Sequence, residues 1–450
     1  MLRPSSCRFA RRPSSWLAAA LLVLAATLGG CTGTRVAAPP APPQATSALP
    51  PAEAPPQAIA LGAPATPALP GAKVAVALLL PLSGPTAGLG RAMLDAAEMA
   101  LFDVGDDNFL LLPRDTQGTA EGAARAAESV LAQGARLILG PLLAGEVAAV
   151  KPIARQANVN MIAFSTDETL AGDGTYLLGF PPRQNVERIT AFAHQKGVNR
   201  FAALAPETPY GQLVVNELRA AAARNGSSVD HVEFYDPAAT DIRPVVRQLA
   251  SFDGRAAALA RERKQLEAAN DEASKLALAR LASAETAGDL GFDAVLLPEG
   301  GAKLKQVAAL LPYFDIDPGK IHILGTGLWD EPGLGTEPAL VGGWFAAPSP
   351  AARADFAKRF QQLYKQPPVR LASLGYDAVA LAAVLAKKPG GSGFTAQALT
   401  DPSGFAGVDG IFRFRPDGRA DRGLAVLQVE RNGTSVVSPA PETFEGQPAS

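Results

Sequence analysis

The chain is poor in the residues that carry most metal, redox and covalent chemistry. Its 450 residues include two cysteines, Cys7 and Cys31, and three histidines, His194, His231 and His322. Both cysteines precede the first strand pattern, which excludes disulfides and thiolate chemistry from the part that we expect to fold. The histidines are widely spaced and match no metal-ligand pattern, so we expect neither a metal site nor a cofactor.

The sequence also lacks a large excess of either charge and lacks recognisable catalytic motifs. The formal net charge is −2, which argues against a nucleic-acid partner. Neither a G-x-S-x-G elbow nor an H-E-x-x-H motif occurs in the sequence, so no hydrolytic centre stands out. We therefore predict that the protein is not an enzyme. A hydrolase remains a weaker alternative for which no acid/base pair can be named.

A glycine-rich stretch, LLLPLSGPTAGLGRAMLDAAEMAL, covers residues 78–101. Its strand–loop–helix shape is typical of loops that hold phosphate. However, Gly90 is followed by Arg91 and Ala92 instead of the lysine and hydroxyl residue of a Walker loop. Met93 stands where a dinucleotide loop needs its third glycine. The loop is therefore expected to let the backbone approach a small polar ligand without a phosphate.

The N-terminal segment has the features of a bacterial export signal. Four arginines precede an apolar run over residues 16–28 that is too short to span a membrane. The run ends in Leu-Gly-Gly-Cys, which resembles a lipobox whose cysteine, Cys31, is lipidated. Residues 1–31 would then be a lipoprotein signal peptide and lipobox, and the Ala/Pro-rich residues 32–72 a tether. An ordinary signal peptide with an incidental cysteine is the alternative. We expect a membrane-anchored lipoprotein of the bacterial periplasm.

From Lys73 onward, apolar strand patterns alternate with helix patterns. This alternation predicts an α/β fold with parallel sheets covered on both faces. Because the pattern restarts after Pro181-Pro182, we expect two lobes facing each other across a cleft. Residues 410–429 contain Pro416-Asp417-Gly418 and are typical of a β-hairpin.

One segment, residues 256–286, is helical and rich in charge. Leu266, Ala269, Ala273 and Leu276 follow 3-4-3 spacing and form a narrow apolar stripe. We interpret the segment as a helical insertion in the second lobe. It is either a solvated helix packed on that lobe or an arm that contacts another protein.

Three stretches in order resemble the periplasmic solute-binding proteins of the branched-chain amino-acid, or leucine-binding, type. They are the glycine-rich loop, RLILGPLLAGEVAAVKPIARQANVNMIAFST and the ETPYGQ turn of residues 207–212. The resemblance covers about residues 73–437. It implies the type 1 periplasmic binding protein architecture, two Rossmann-like lobes joined by three crossovers. Residues 73–182 and 348–409 would form the first lobe, 183–347 and 410–438 the second, and 439–450 a tail.

The resemblance also implies ligand-binding residues. Those of the first lobe are Ser83, Leu89, Ser165, Thr166 and Asp167, and those of the second are Tyr210, Glu299, Trp329 and Asp330. Tyr210 could equally pack at a helix start, and Trp329 could equally belong to a core. The serine that usually follows the Gly140-Pro141 turn is replaced by Leu142-Leu143, which weakens the expected carboxylate site.

Two functions follow from the resemblance. The first is capture of an amino acid or similar small polar solute for delivery to the permease of an ABC transporter. The second is that of the lipid-anchored penicillin-binding protein activators, which share this fold and regulate peptidoglycan synthesis through protein contacts.

Overall fold

The structure is a computed structural model, and it describes residues 73–104 and 108–444. The predicted signal peptide, Cys31, the tether and the last six residues of the predicted tail lie outside these ranges. Within them, no helix is both long and apolar enough to cross a membrane.

Strands and helices alternate as the sequence pattern predicts. The strands are β1 (Val74–Leu80), β2 (Phe109–Asp115), β3 (Leu137–Leu139), β4 (Asn160–Ala163), β5 (Thr175–Leu177), β6 (Arg200–Pro206), β7 (Ser228–Tyr235), β8 (Ala294–Leu297), β9 (His322–Gly325), β10 (Trp344–Ala347), β11 (Phe405–Gly407), β12 (Gly410–Phe414), β13 (Ala420–Arg422), β14 (Ala425–Glu430) and β15 (Gly433–Ser438). The helices are α1 (Ala87–Val104), α2 (Ala120–Ala132), α3 (Ala144–Gln156), α4 (Pro182–Gln195), α5 (Pro209–Arg224), α6 (Arg243–Leu249), α7 (Phe252–Ala269), α8 (Glu272–Leu281), α9 (Gly301–Ala308), α10 (Pro350–Tyr364), α11 (Ala372–Ala386) and α12 (Ala396–Leu399).

The first lobe is built on a parallel sheet of order β2-β1-β3-β4-β5. The central strand β1 is apolar throughout, and six of its seven residues are buried. One face of the sheet, with Leu78 and Leu80, packs on α1 and α11, and the other face, with Ala77 and Leu79, packs on α2 and α3. A strand covered on both faces must be continuously apolar, which is why β1 is recognisable in the sequence.

The second lobe has a larger sheet of order β15-β14-β10-β9-β8-β6-β7. Its strands β7, β6, β8, β9 and β10 are parallel, and β14 and β15 add antiparallel pairs at one edge. Two hydrophobic clusters cover its faces. The carboxyl ends of β6, β8 and β9 lead into the loops that are described below as one side of the cleft.

The chain passes between the lobes at β5–α4, at β10–α10 and at β13–β14. The third passage corrects the expected assignment of residues 410–438 to the second lobe. Phe412 and Phe414 of β12 and Ala420 of β13 belong to the core of the first lobe, whereas β14 and β15 join the second sheet. The sequence pattern predicts a hairpin between residues 410–414 and 423–429. In the structure β12 pairs instead with β13, and β14 pairs with β10 and β15. The pattern carries no signal for the lobe on which the hairpin packs.

The predicted helical insertion is two helices, α7 and α8. The break falls at Asn270, whose left-handed backbone (φ 50°) an asparagine tolerates. Asp271 then caps α8 by accepting the backbone N–H of Ser274 at 2.7 Å. The expected apolar stripe is not a packed face, since Leu276 is 60% exposed. Arg263 ties the pair together by donating to the backbone carbonyls of Leu281 and Ala284.

Helices α10 and α11 return to the first lobe and pack on α1. A Cβ added to Gly375 of α11 would lie 2.2 Å from the carbonyl oxygen of Met93 on α1. The two helices can therefore approach this closely only with glycine at that position. At Gly88, in the first turn of α1, an added Cβ would meet no atom within 4 Å.

We expect Gly375→Ala to lower the free energy of unfolding by about 1–3 kcal/mol, because the methyl group forces α1 and α11 apart. The matched substitution Gly88→Ala is expected to leave stability unchanged or raise it by less than about 1 kcal/mol. Denaturant titration of both variants measures the difference. Equal stabilities would show that the contact at Met93 does not constrain the helices.

Candidate ligand-binding site

A cavity of about 290 Å³ lies between the lobes. Its lining residues are Thr166, Phe180, Pro182, Asn185, Tyr210, Gly327, Leu328, Asp330, Ala347, Pro348, Arg370 and Leu371. Thr166 follows β4 of the first lobe, and Tyr210 and Asp330 follow β6 and β9 of the second. The carboxyl ends of both parallel sheets thus meet at this cavity, which is where open α/β sheets bind ligands. Most of the wall is apolar, and the charged groups are Asp330 and Arg370.

Tyr210 is held rigidly against the second lobe. It lies in the first turn of α5, where Thr208 caps the helix and Pro209 occupies the first helical position. Its hydroxyl is 3.0 Å from the Thr326 hydroxyl. Burial raises the pKa of Tyr210, and nearby Glu299 adds to the rise while Thr326 opposes it. The side chain therefore presents a neutral, half-buried phenol to the cavity.

Asp330 forms ion pairs with two arginines. Its Oδ2 lies 2.7 Å from Arg370 Nε and 3.1 Å from Arg353 Nη1. Burial and the neighbouring Arg370 lower the pKa of Arg353, and Asp330 opposes this effect. The Asp330 carboxylate, which the resemblance assigned to ligand binding, is thus already paired with guanidinium groups of the protein.

Arg370 belongs to a larger charged cluster beside the passages between the lobes. Two guanidinium groups lie over the Phe180 ring, with the Cζ atoms of Arg370 and Arg422 at 4.4 Å and 4.3 Å from the ring centroid. Arg370 also pairs with the fully buried Asp409 at 3.1 Å. Burial lowers the pKa of Arg422 to about 10, although Asp409 and Asp377 counteract it.

Asp115, at the end of β2, binds two backbone amides of the glycine-rich loop and one amide of its own turn. Three N–H groups donate to Oδ1 of Asp115, those of Leu82 (2.9 Å), Ser83 (3.2 Å) and Gln117 (2.8 Å). Burial alone would raise the pKa of Asp115, but these bonds and the Ser83 hydroxyl lower it. An internal carboxylate therefore holds the backbone donors that were expected to receive a ligand, and Ser83 does not line the cavity.

The loop after β3 is closed in the same way. Glu146 is 1% exposed, and its Oε2 accepts the backbone N–H of Leu143 at 3.0 Å. Its Oε1 accepts the Thr116 hydroxyl at 2.5 Å. The missing serine after Gly140-Pro141 thus coincides with a loop whose amide is bound by a buried carboxylate. Leu142 packs into the core of the first lobe.

Four other predicted residues are engaged away from the cavity. Leu89 packs against the core of the first lobe. The Ser165 hydroxyl accepts the backbone N–H of Asp167 at 3.1 Å, and Asp167 in turn caps the short turn that begins at Glu168. Glu299 accepts the Tyr235 hydroxyl at 2.5 Å. Burial and this carboxylate raise the pKa of Tyr235.

The ligand-binding prediction for Trp329 is wrong. Its side chain is fully buried in the second core, and its indole N–H donates to the carbonyl oxygen of Leu297 at 3.2 Å. A tryptophan beside a candidate binding loop can line a ligand pocket or pack in a hydrophobic core, and only the structure distinguishes the two. Here it fixes the turn that carries Asp330.

The sequence reasoning missed Phe180 and Arg370. Phe180 precedes the Pro181-Pro182 pair at which the lobes were divided, so its place at the passage was a usable signal. Arg370 follows a Gln-Pro-Pro-Val stretch with no recognisable motif, and only the return of α11 to the first lobe brings it to the cavity.

Comparison with known proteins identifies the family. The sequence profile described as periplasmic binding protein matches residues 73–434. The chain belongs to the periplasmic binding protein family. Its fold is the type 1 architecture seen in solved structures of branched-chain amino-acid and leucine-binding proteins.

Two solved structures illustrate this likeness. A putative branched-chain amino acid ABC transporter protein from Rhodospirillum rubrum is 20% identical, with 81% of this chain and 100% of that chain covered and a TM-score of 0.63. A branched-chain amino acid transporter substrate-binding protein from Streptococcus pneumoniae, solved with isoleucine, is 17% identical, with 82% and 100% covered and a TM-score of 0.53.

An uncharacterized protein of Rickettsia prowazekii is 27% identical over 182 residues. The match covers 40% of this chain and 48% of that protein, so the chain spans about half the length of this curated relative. At these identities, the solved structures establish the fold of this periplasmic binding protein and not its solute.

The charged cluster predicts a pH dependence of stability. Burial and nearby Asp409 raise the pKa of Asp377 to about 7, and an unfolded aspartate titrates near pH 4. Between these values the folded protein retains a proton that the unfolded chain has lost. The stabilisation is therefore complete below about pH 4 and disappears as the pH rises through 7.

We expect Asp377→Asn, whose side-chain oxygen can still accept the Val408 N–H, to lose less stability than the native protein between pH 4 and pH 8. The difference should be on the order of a few kcal/mol. Denaturant titrations across this range measure it. Asp317→Asn, at an exposed ion pair, is the control, and an identical pH slope for Asp377→Asn and the native protein would contradict the assignment.

Proposed function

We propose that this protein is a lipid-anchored periplasmic binding protein that captures a small solute between its lobes for uptake by an ABC transporter. The observation that carries the proposal is the cavity between the lobes, where Thr166 and Tyr210 face each other from opposite sheets. The family membership supports this role. The proposal includes no catalytic step.

The cavity favours a small solute with a substantial apolar part. Its volume of about 290 Å³ is at the lower end of the range for ligand pockets. Phe180, Leu328 and Leu371 supply apolar contact area, and Thr166 and Tyr210 supply hydroxyl groups. An amino acid with an apolar side chain, or a similar small molecule, fits these dimensions and this chemistry.

Capture would proceed by closure of the lobes on the solute. Residues that line the cavity come from both sheets, so a bound molecule would contact both lobes and favour the closed state. The permease would then recognise the closed form. Partners are accordingly a small ligand, an ABC permease and a membrane.

Anchoring through Cys31 is the part of the proposal that rests on sequence alone. We expect Cys31→Ser to abolish acylation and to move the protein from the membrane fraction to the soluble periplasmic fraction. Fractionation with metabolic labelling by a fatty acid measures both effects. Cys7→Ser, within the signal sequence, is the control and should remain acylated; acylation of the Cys31→Ser protein would refute the lipobox.

Solute capture predicts a ligand-dependent rise in the melting temperature. A compound that binds only the native state stabilises it by about 2.7 kcal/mol at a concentration of 100 times its Kd. We would screen amino acids, small amides, small aromatic acids and peptidoglycan fragments by thermal unfolding of the whole chain. Tyr210→Ala should abolish the shift produced by any compound that binds in the cavity.

Tyr313→Ala is the matched control, because Tyr313 lies in the same lobe, is 74% exposed and does not line the cavity. A shift that survives Tyr210→Ala would place binding elsewhere. If no compound changes the melting temperature, solute capture fails for the whole panel.

A second candidate, a penicillin-binding protein activator, is favoured by one specific observation. The α7–α8 pair is largely exposed and carries the exposed Leu276. In this function the pair would contact a peptidoglycan synthase. Capture of a purified synthase by the whole chain, and loss of capture when residues 256–286 are replaced by a short Gly/Ser linker, would support it. Unchanged capture would exclude this surface.

A further inference from the structure

Three charged side chains connect the lobes at the edge of the cavity. Asp330 belongs to the second lobe, because it directly follows Trp329, which is fixed in the second core. Arg353 lies on α10, and Arg370 lies just before α11. Since both helices pack on α1, these two arginines move with the first lobe. The two ion pairs of Asp330 therefore cross the cleft.

These groups are sheltered from solvent. The side chains of Asp330, Arg353 and Arg370 are 20%, 24% and 23% exposed. Ion pairs that are partly buried are screened less than pairs on an open surface. Arg370 lies 2.7 Å from the Asp330 carboxylate as an ion pair. Arg353 also donates a charge-assisted hydrogen bond to it at 3.1 Å, and such bonds are stronger than neutral ones.

Arg370 is positioned by its own lobe and by the passage between lobes. It pairs with the buried Asp409 at 3.1 Å, and its guanidinium stacks on Phe180 at 4.4 Å. Asp409 is in turn bound by the Ser373 hydroxyl at 2.5 Å. The guanidinium would therefore keep its place if Asp330 moved away, and it is preorganised to receive Asp330 again.

We propose that Asp330, Arg353 and Arg370 form an interlobe latch, a set of ion pairs by which the protein itself holds its two lobes together. The latch acts whether or not the cleft carries a solute, so it does not depend on the proposed transport function. It sets the ratio of closed to open molecules before any ligand is added. A solute that enters only the open form would then bind with an affinity reduced in proportion to the open fraction.

The latch can be tested by measuring the distance between the lobes. Cys7 and Cys31 are the only cysteines, so their replacement by serine in the whole chain leaves introduced cysteines as unique labelling sites. Gly88→Cys in the first turn of α1 and Gln212→Cys in the first turn of α5 place one spin label at the cleft edge of each lobe. Gly88 and Gln212 are exposed, and an added Cβ at Gly88 meets no atom within 4 Å.

In the otherwise native protein without added solute, we expect one predominant short distance by pulsed electron paramagnetic resonance. Asp330→Asn and Arg370→Gln should each add a longer distance and lower the ratio of closed to open molecules by at least about fivefold. Asp289→Asn, which breaks an ion pair within the second lobe only, is the matched control and should leave the distribution unchanged.

The salt dependence of the open fraction provides a second measurement, and a general loss of folding would not produce the same result. Raising the ionic strength should increase the open fraction of the native protein and should have much less effect on Asp330→Asn, since the screened interaction is already absent. The proposal is overturned if the latch variants keep the native distance distribution, or if the native protein is mostly open at low salt.

Discussion

The structure depends on a small number of charges that are buried where the chain passes between its two lobes. Asp377, Asp409 and Arg422 are removed from water around the β5–α4 and β13–β14 passages, and Arg370 is partly buried beside them. Burial of such groups is tolerated only when opposite charges and hydrogen bonds compensate for the lost hydration. Here the compensation also includes Phe180, whose ring contacts the guanidinium groups of both Arg370 and Arg422. The relative position of the sheets is thereby tied to a fixed arrangement of charge.

Much of the fold could be predicted because its buried strands have a recognisable sequence pattern. A strand such as β1, covered by helices on both faces, must be apolar at nearly every position. The helices between such strands show apolar residues that recur with the helical period of about 3.6 residues. The two-lobed α/β architecture followed from this alternation. The alternation did not show which lobe the β12–β13 hairpin packs on, because the apolar side chains of Phe412 and Phe414 suit either core.

The site was predicted less well, and the reasons lie in particular side chains. The family resemblance assigned Thr166, Tyr210 and Asp330 to the ligand, and all three line the cavity, where loops that follow parallel strands converge. Trp329 was ambiguous since a large aromatic ring suits a core as well as a pocket. Arg370 could not be found, because its approach to Asp330 depends on the return of a distant segment. The capping of the loop amides by Asp115 and Glu146 likewise depends on pairings across the sheet, which no local motif records.

The binding of loop amides by Asp115 has a consequence for the first lobe as a whole. One carboxylate oxygen, on Asp115, accepts three backbone donors, two just after β1 and one just after β2. A single replacement of that side chain by a small neutral residue would deprive all three donors of their acceptor at once. The loops at two strand ends of the first lobe therefore depend on a single side chain, and a substitution at Asp115 would disturb both of them together.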